Sequence, residues 1–175
     1  ANNVLRSLSS LMGWSMLRGW CSTNPCLRVP KLKIGEGWAP WPWESIQHFR
    51  EHALPHLWEA AALALYTGQR LSDVLAIRWS DIDAGMVSVL QHKTGKRLFI
   101  PLHKELAALL TFLESRLRSD PGRKDLNLRH HHQPVLSTSR GSPWTVDGFK
   151  ASWSEQLNRP IMAELRRQRL VFHGL

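Results

Sequence analysis

The sequence predicts an α+β fold, mainly helical, with one small antiparallel β-hairpin sheet. Three observations predict it. Apolar residues recur at spacings of three and four in several stretches, as in Val4, Leu5, Leu8, Leu11, Met12, Met16 and Leu17 and again in Leu106, Leu109, Leu110, Leu113 and Leu117, the period of an amphipathic helix. Two β-rich runs, Met86-Val87-Ser88-Val89-Leu90-Gln91 and Arg97-Leu98-Phe99-Ile100-Pro101-Leu102, flank His92-Lys93-Thr94-Gly95-Lys96, which reads as a hairpin with Gly95 in the tight position. Residues 29–40 hold Pro30, Lys31, Lys33, Gly35, Gly37 and Pro40 with little periodicity, the composition of a basic linker between two bodies.

The bulk numbers set the class of partner. A chain of 175 residues with 43% hydrophobic content suits one medium domain, or one domain with a piece of a neighbour, and supplies a real core. Lys and Arg outnumber Asp and Glu by 23 to 14, a formal +9. That balance favours a polyanion, with nucleic acid first and an anionic membrane surface second. No apolar run approaches the roughly 18 residues that span a bilayer, and no secretory leader pattern opens the chain. The expectation is a soluble intracellular protein. Cys21 and Cys26 sit around Asn24-Pro25, neither a CxxC redox spacing nor half of a zinc set, and are expected as reduced thiols. Most of the nine tryptophans are expected in the core or in docking positions, since indole buries a large area.

In order, a helix is expected from Asn3 to Trp20, stopped by Asn24-Pro25. A short helix runs from Trp43 to His52 behind Pro42, and Pro55 separates it from an Ala-rich helix over about His56 to Thr67. His48, His52 and His56 recur every four residues, but Pro55 interrupts the helix before the third, and a solvated face is expected rather than a metal site. After Gly68-Gln69-Arg70, a further helix carries Val74, Leu75 and Ile77 inward and ends near Trp79, and Ser80 to Gly85 reads as a turn. Beyond the hairpin comes a strongly periodic helix over Lys104–Arg118, then a polar stretch with Arg123, Lys124, Arg129 and His130-His131-His132. Three adjacent histidines cannot share one face, so a loop is expected there. Pro134 to Ser137 reads as a short strand, Trp144 to Leu157 as a helix ended by Pro160, and Ile161 to Arg169 as a shorter basic helix.

Arg70 is the residue around which the chemistry gathers. It stands between Gly68, which can end one helix, and Ser72-Asp73, which can open the next. A guanidinium fixed by backbone on both sides offers a rigid fork of donors to a carboxylate or phosphate. Lys93 at the hairpin and His173 near the end add a cation and a protonatable ring. Such groups stabilise charge on non-bridging phosphate oxygens and move protons on and off entering and leaving ones. By themselves they support phosphate binding without fixing a reaction.

Together these motifs resemble the tyrosine recombinase, or phage integrase, family. Thr67-Gly68-Gln69-Arg70 with Leu71-Ser72-Asp73, then Arg78-Trp79-Ser80-Asp81-Ile82, is similar to its first arginine box. Gln91-His92-Lys93-Thr94-Gly95-Lys96 followed by Ile100-Pro101-Leu102 is similar to its catalytic-lysine hairpin, and Phe172-His173-Gly174-Leu175 to the opening of its His-x-x-Arg box. The resemblance implies an integrase-like catalytic domain over 41–175, a basic linker over 29–40, and in 1–28 the last helix of a core-binding domain. It implies that Arg70 clamps the scissile phosphate, that Asp73 buttresses the site, that Lys93 protonates the leaving 5′-oxygen and that His173 contacts the phosphate or assists the nucleophile. Lys31, Lys33 and Lys96 would lie along double-stranded DNA. The family conserves bond energy in a 3′-phosphotyrosyl link, so no cofactor and no metal is implied. The parent would self-associate on DNA, in the cytoplasm of a bacterium and on its nucleoid.

The departures shape the expectation. The sequence ends at Leu175, where that box would supply its arginine, and its single tyrosine, Tyr66, occupies a packing position on the helix before Arg70. The chain is therefore expected to be a DNA-binding fragment of a site-specific recombinase, inactive alone. A non-catalytic DNA-binding remnant is the alternative, and a metal- or RNA-binding basic domain built on the histidines is a third reading.

Overall fold

The computed structural model describes residues 1–33, 35, 37–119, 132–138 and 140–175. It divides into two compact units, Ala1–Gly37 and Trp38–Leu175.

The first unit is one helix with a returning strap. α1 spans Asn2–Leu17 and stops three residues earlier than its apolar period suggests. Gly19 takes φ +70°, and its N–H donates to the Met16 carbonyl at 3.0 Å, a left-handed stop that glycine adopts without steric cost. Pro25 does not end this helix but opens a 3₁₀ turn over Pro25–Arg28. Asn24 accepts from the Cys26 N–H at 3.0 Å and donates to the Ser9 carbonyl at 3.0 Å. Asn2 exchanges two 2.9 Å hydrogen bonds with the backbone of Leu32. The strap is thus pinned to α1 at both ends. Cys21 and Cys26 are free thiols.

The second unit is mainly helical with a three-stranded antiparallel sheet. α2 (Trp43–His52) and α3 (Pro55–Thr67) follow the expected boundaries to within a residue. Ala60 to Ala64 are all buried, so α3 is apolar all round and forms the central rod of the unit. α4 is Leu71–Ala76 and a 3₁₀ turn covers Trp79–Asp81. The next stretch, expected as a turn, supplies a short strand instead: β1 (Ile82–Asp83) pairs with β2 (Met86–Leu90) in the register Ile82 to Val87. The two-residue turn Ala84-Gly85, both at positive φ, closes a hairpin too short for a period to show. β2 pairs with β3 (Arg97–Pro101), Val87 facing Ile100 and Val89 facing Leu98.

α5 spans Lys104–Arg118. Pro134 to Ser137 is not a strand. It makes isolated bridges from Pro134 to Arg78 and from Ser137 to Pro143. α6 (Val146–Asn158) begins at Thr145, whose hydroxyl accepts from the Gly148 N–H at 3.1 Å, an N-cap that places the start two residues later than expected. A 3₁₀ turn over Pro160–Met162 leads into α7 (Ala163–Arg167), and a last 3₁₀ turn covers Phe172–Gly174.

Phe49, Leu57, Leu63, Leu106, Phe149, Met162 and Leu165 are fully buried in the centre, each contributing roughly 1.5–3 kcal/mol relative to exposure. Trp41, Phe49, Phe149, Trp153 and Phe172 form one aromatic cluster with centroid spacings of 4.8–6.1 Å. Most of the nine tryptophans lie in or against the core, with Trp58 and Trp144 partly buried against it. Trp41, Trp79 and Trp153 are buried, whereas Trp14, Trp20, Trp38 and Trp43 are exposed. The histidine row is not a solvated face. His48, His52 and His56 are half-buried; His48 Nε2 lies 2.8 Å from the Ile161 carbonyl oxygen and His56 Nε2 3.1 Å from Ser152 Oγ, so these two dock α2 and α3 on the α6 region, while His52 Nδ1 lies 2.9 Å from the His48 carbonyl oxygen of its own helix. Arg123, Lys124, Arg129, His130 and His131 lie outside the described residues. No helix among the described residues is long and apolar enough to cross a membrane.

Candidate functional site

Two turns build the site. Gly68 caps α3 at φ +65° and its N–H donates to the Ala64 carbonyl at 2.8 Å. The chain then reverses, and Arg70 becomes the N-cap residue of α4 with φ −68° and ψ 154°. Its carbonyl accepts from the N–H groups of Asp73 and Val74, both at 2.9 Å. The backbone of Arg70 is therefore fixed on both sides, while its guanidinium makes no hydrogen bond or ion pair among the described residues. A half-buried guanidinium held this way is a donor fork in search of an anion.

The β2–β3 turn is equally ordered. The Gly95 N–H donates to the Gln91 carbonyl at 2.8 Å, the Gln91 N–H to the Lys96 carbonyl at 2.8 Å, and Gly95 takes φ +67°. Lys93 and Lys96 stand exposed on it, and neither ammonium has a partner among the described residues.

Two side-chain ties bind that turn to the Arg70 corner. The first runs through amides: Thr94 Oγ1 donates to Gln91 Oε1 at 2.8 Å, Gln91 Nε2 to Gln69 Oε1 at 3.0 Å, and Gln69 Nε2 to the Thr67 carbonyl at 2.9 Å. The second joins a carboxylate to a histidine. Asp73 Oδ1 accepts from the His92 N–H at 3.1 Å and lies 2.9 Å from His92 Nδ1. Gln69 and Asp73 bracket Arg70, and Gln91 and His92 immediately precede Lys93, so the two cationic residues belong to one cross-linked assembly. Beside it lies a cleft of about 570 Å³ whose lining includes Asp73, Arg78, Ser88, His92 and Arg97. Arg97 donates to Ser88 Oγ at 2.8 Å.

His173 sits exposed on the Phe172–Gly174 turn. Trp41 holds that turn twice, its N–H donating to the Gly174 carbonyl at 2.9 Å and its Nε1–H to the Val171 carbonyl at 2.8 Å. Phe172 meets Phe149 and Trp153 edge-on, at 5.8 and 5.1 Å between centroids. A Cβ on Gly174 would lie 2.3 Å from the Ala39 carbonyl oxygen, so only glycine fits.

A sequence profile of the phage integrase family matches residues 44–175. The chain belongs to the phage integrase family. The integrase of Escherichia phage HK022 is 32% identical over 110 residues, which cover 61% of this chain and 31% of that protein. The shufflon-specific DNA recombinase of Escherichia coli is 28% identical over 179 aligned positions, covering 98% of this chain and 40% of that recombinase. The chain thus spans less than half the length of either relative. A lambda integrase (75-356) dimer bound to a COC′ core site superposes with a TM-score of 0.70 at 20% identity, over 98% of this chain and 61% of that one. The lambda integrase catalytic core superposes with a TM-score of 0.53 at 21% identity, over 78% of this chain and 77% of that one. These likenesses show the phage integrase fold.

In this phage integrase family member the residues singled out from sequence fall into three places. Arg70, Asp73, Lys93 and Lys96 lie on the cross-linked corner and hairpin. His173 lies on the turn carried by Trp41, with no hydrogen bond to either. Lys31 and Lys33 are exposed residues of the first unit. Tyr66 stacks face to face on His103 at 4.7 Å and is packed against the core. Among the described residues no group of three or more His, Cys, Asp or Glu could hold a metal ion. Gln69, Gln91, His92 and Trp41 were invisible as site-building residues. The first three flank the motif residues, but their partners lie 19 to 22 positions away, and Trp41 acts across 130 residues. Gln69, Gln91 and His92 stand inside the boxes, and Trp41 stands in none.

Proposed function

We propose that this chain is the phosphate-gripping part of a DNA-rearranging recombinase, and that it binds the backbone of double-stranded DNA. One observation carries the reading: Arg70 and Lys93, both without an anionic partner among the described residues, are tied to each other's turns by the Gln69–Gln91 and Asp73–His92 bonds. Two cations carried on turns that are tied to each other, on a protein of formal charge +9, suit a phosphate diester better than a freely diffusing small anion. In the chemistry the family implies, Arg70 holds the scissile phosphate and stabilises the charge that grows on its non-bridging oxygens. Lys93 donates a proton to the leaving 5′-oxygen. His173 adds a contact to the phosphate, with Asp73 supporting the corner and Lys96, Lys31 and Lys33 meeting flanking phosphates. The unit Ala1–Gly37 is then the end of a core-binding domain and its linker, and the parent assembles with further copies on DNA.

Tyr66 does not fit the nucleophile of that scheme, because its ring is stacked on His103 and serves packing. The reaction this chain supports by itself is binding. The test is fluorescence anisotropy with a labelled duplex of about 30 base pairs, competed with single-stranded RNA. Duplex is expected to win, and Arg70→Ala to weaken binding without altering the fold measured by circular dichroism. Equal affinity of wild type and Arg70→Ala would remove the assignment.

A further inference from the structure

Asp73 and His92 form a carboxylate–imidazole pair whose outer nitrogen has no role in holding the hairpin. The Asp73 side chain is 0% exposed and the His92 side chain 63%. Asp73 Oδ1 meets both the backbone N–H and Nδ1 of His92, and Oδ2 is buried with no hydrogen-bond partner among the described residues. A carboxylate oxygen facing Nδ1 demands a proton there, so in the neutral ring the lone pair sits on Nε2, and a second proton makes Nε2–H a donor. Holding the residue by backbone and ring together fixes the direction of Nε2, and less side-chain freedom is lost when a ligand arrives.

The surroundings name the ligand. His92 directly precedes Lys93. Asp73 meets its ring, and the cleft that His92 helps to line also takes Arg78 and Asp81 from the turn before β1 and Arg97 from β3 into its wall. Among the described residues, the lining positions after β3 in the chain, Pro134 and Pro143, Trp144 and Val146, bring no charge. Arg78, Arg97 and the neighbouring Lys93, against one half-buried and one buried carboxylate, favour an anion outside the ring. We infer that His92, oriented by Asp73, is a further phosphate-contacting residue, donating from a protonated Nε2 to a DNA backbone phosphate beside the one held by Arg70 and Lys93. This rests on the DNA-binding reading above. No bond is made or broken in it.

A latch and a phosphate donor differ in their response to pH. The latch needs only the inner nitrogen and works with the ring neutral. The donor needs both ring nitrogens protonated. His92→Asn separates the two, because its amide nitrogen can replace Nδ1 against Asp73 but nothing replaces Nε2. Duplex affinity is measured by anisotropy against salt at about pH 6 and about pH 8. At the lower pH the variant is expected to bind about two- to five-fold more weakly and to lose about 0.9 from the slope of log affinity against log salt. At the higher pH the two proteins should coincide. Equal slopes at the lower pH, or the same loss at both, overturn the inference. Arg70→Ala, measured alongside, keeps the outcomes apart: if it weakens binding and His92→Asn does not, only the role of His92 falls, and if neither weakens it, the DNA face falls with it. A long-range ¹H–¹⁵N spectrum should show the neutral His92 ring protonated at Nδ1, and a ring protonated at Nε2 contradicts the geometry.

Discussion

Replacing Gly174 by alanine pits two costs against each other. The new Cβ would stand 2.3 Å from the Ala39 carbonyl oxygen and 2.9 Å from Trp41 Cδ1, so one strand of the contact must retreat by about 1 Å. If the packing holds, overpacking costs about 1–3 kcal/mol. If the turn backs away, it gives up the bonds from Trp41 to the Gly174 and Val171 carbonyls, 2.9 and 2.8 Å long, at about 1 kcal/mol each. The two routes come out alike, near 2 kcal/mol, and the second is favoured because the Ala39 carbonyl is backbone and cannot rotate aside. His173 then moves with the turn while Phe172 remains in the aromatic cluster. Urea unfolding followed by tryptophan fluorescence should show a midpoint lowered by an amount worth about 2 kcal/mol at unchanged m-value. The Trp41 indole N–H resonance should shift in the folded state. An unchanged midpoint with an unmoved indole resonance would contradict the placing of His173 by Trp41 and Gly174.

The scaffold beneath the site depends on two charged or titratable groups of α3, Glu59 and His56. Arg116 Nη1 meets the buried Glu59 carboxylate at 2.8 Å, so Arg116→Ala should cost about 1–3 kcal/mol in urea unfolding, and should cost far less in a Glu59→Leu background, where no carboxylate is left unpaired. Burial holds the His56 imidazole below its usual value of 6.5, an effect partly offset by Glu59. The depressed folded-state value means that the unfolded chain takes up the proton first. Stability from this group is therefore fully present above about 6.5 and lost as pH falls through the folded value. His56→Gln should remove that component from a series of urea midpoints across the same range, and an unchanged pH profile would contradict it.

The legible parts of the fold were those coded locally. Pro42 and Pro55 fix helix starts, Gly68 and Gly95 fix reversals at positive φ, and the leucine period of Lys104–Arg118 is long enough to fix both ends of α5. β1 was missed because a strand of two residues carries no period, and its pairing is decided by the turn at Ala84-Gly85. The end of α1 was misplaced because Gly19 stops the helix before Asn24-Pro25 can. At the site, Arg70, Lys93 and His173 were readable as chemical types within recognisable boxes. The atoms that fix them were not, since the Asp73–His92 and Gln69–Gln91 bonds join segments about twenty residues apart and Trp41 reaches the His173 turn from the other end of the unit. Such partners depend on tertiary packing, which no local period encodes.

The proposed joint grip of Arg70 and Lys93 on one stretch of DNA backbone makes the two side chains depend on each other energetically. Its most direct test is a double-mutant cycle on duplex affinity with Arg70→Ala, Lys93→Ala and the combined variant, each measured across a salt series. Each single change is expected to lower the slope of log affinity against log salt by about 0.9. The combined loss of affinity is expected to differ from the sum by about 0.5 kcal/mol or more, because neighbouring groups on one phosphate couple. Slopes identical to wild type, or losses that add within a few tenths of a kcal/mol, would contradict it.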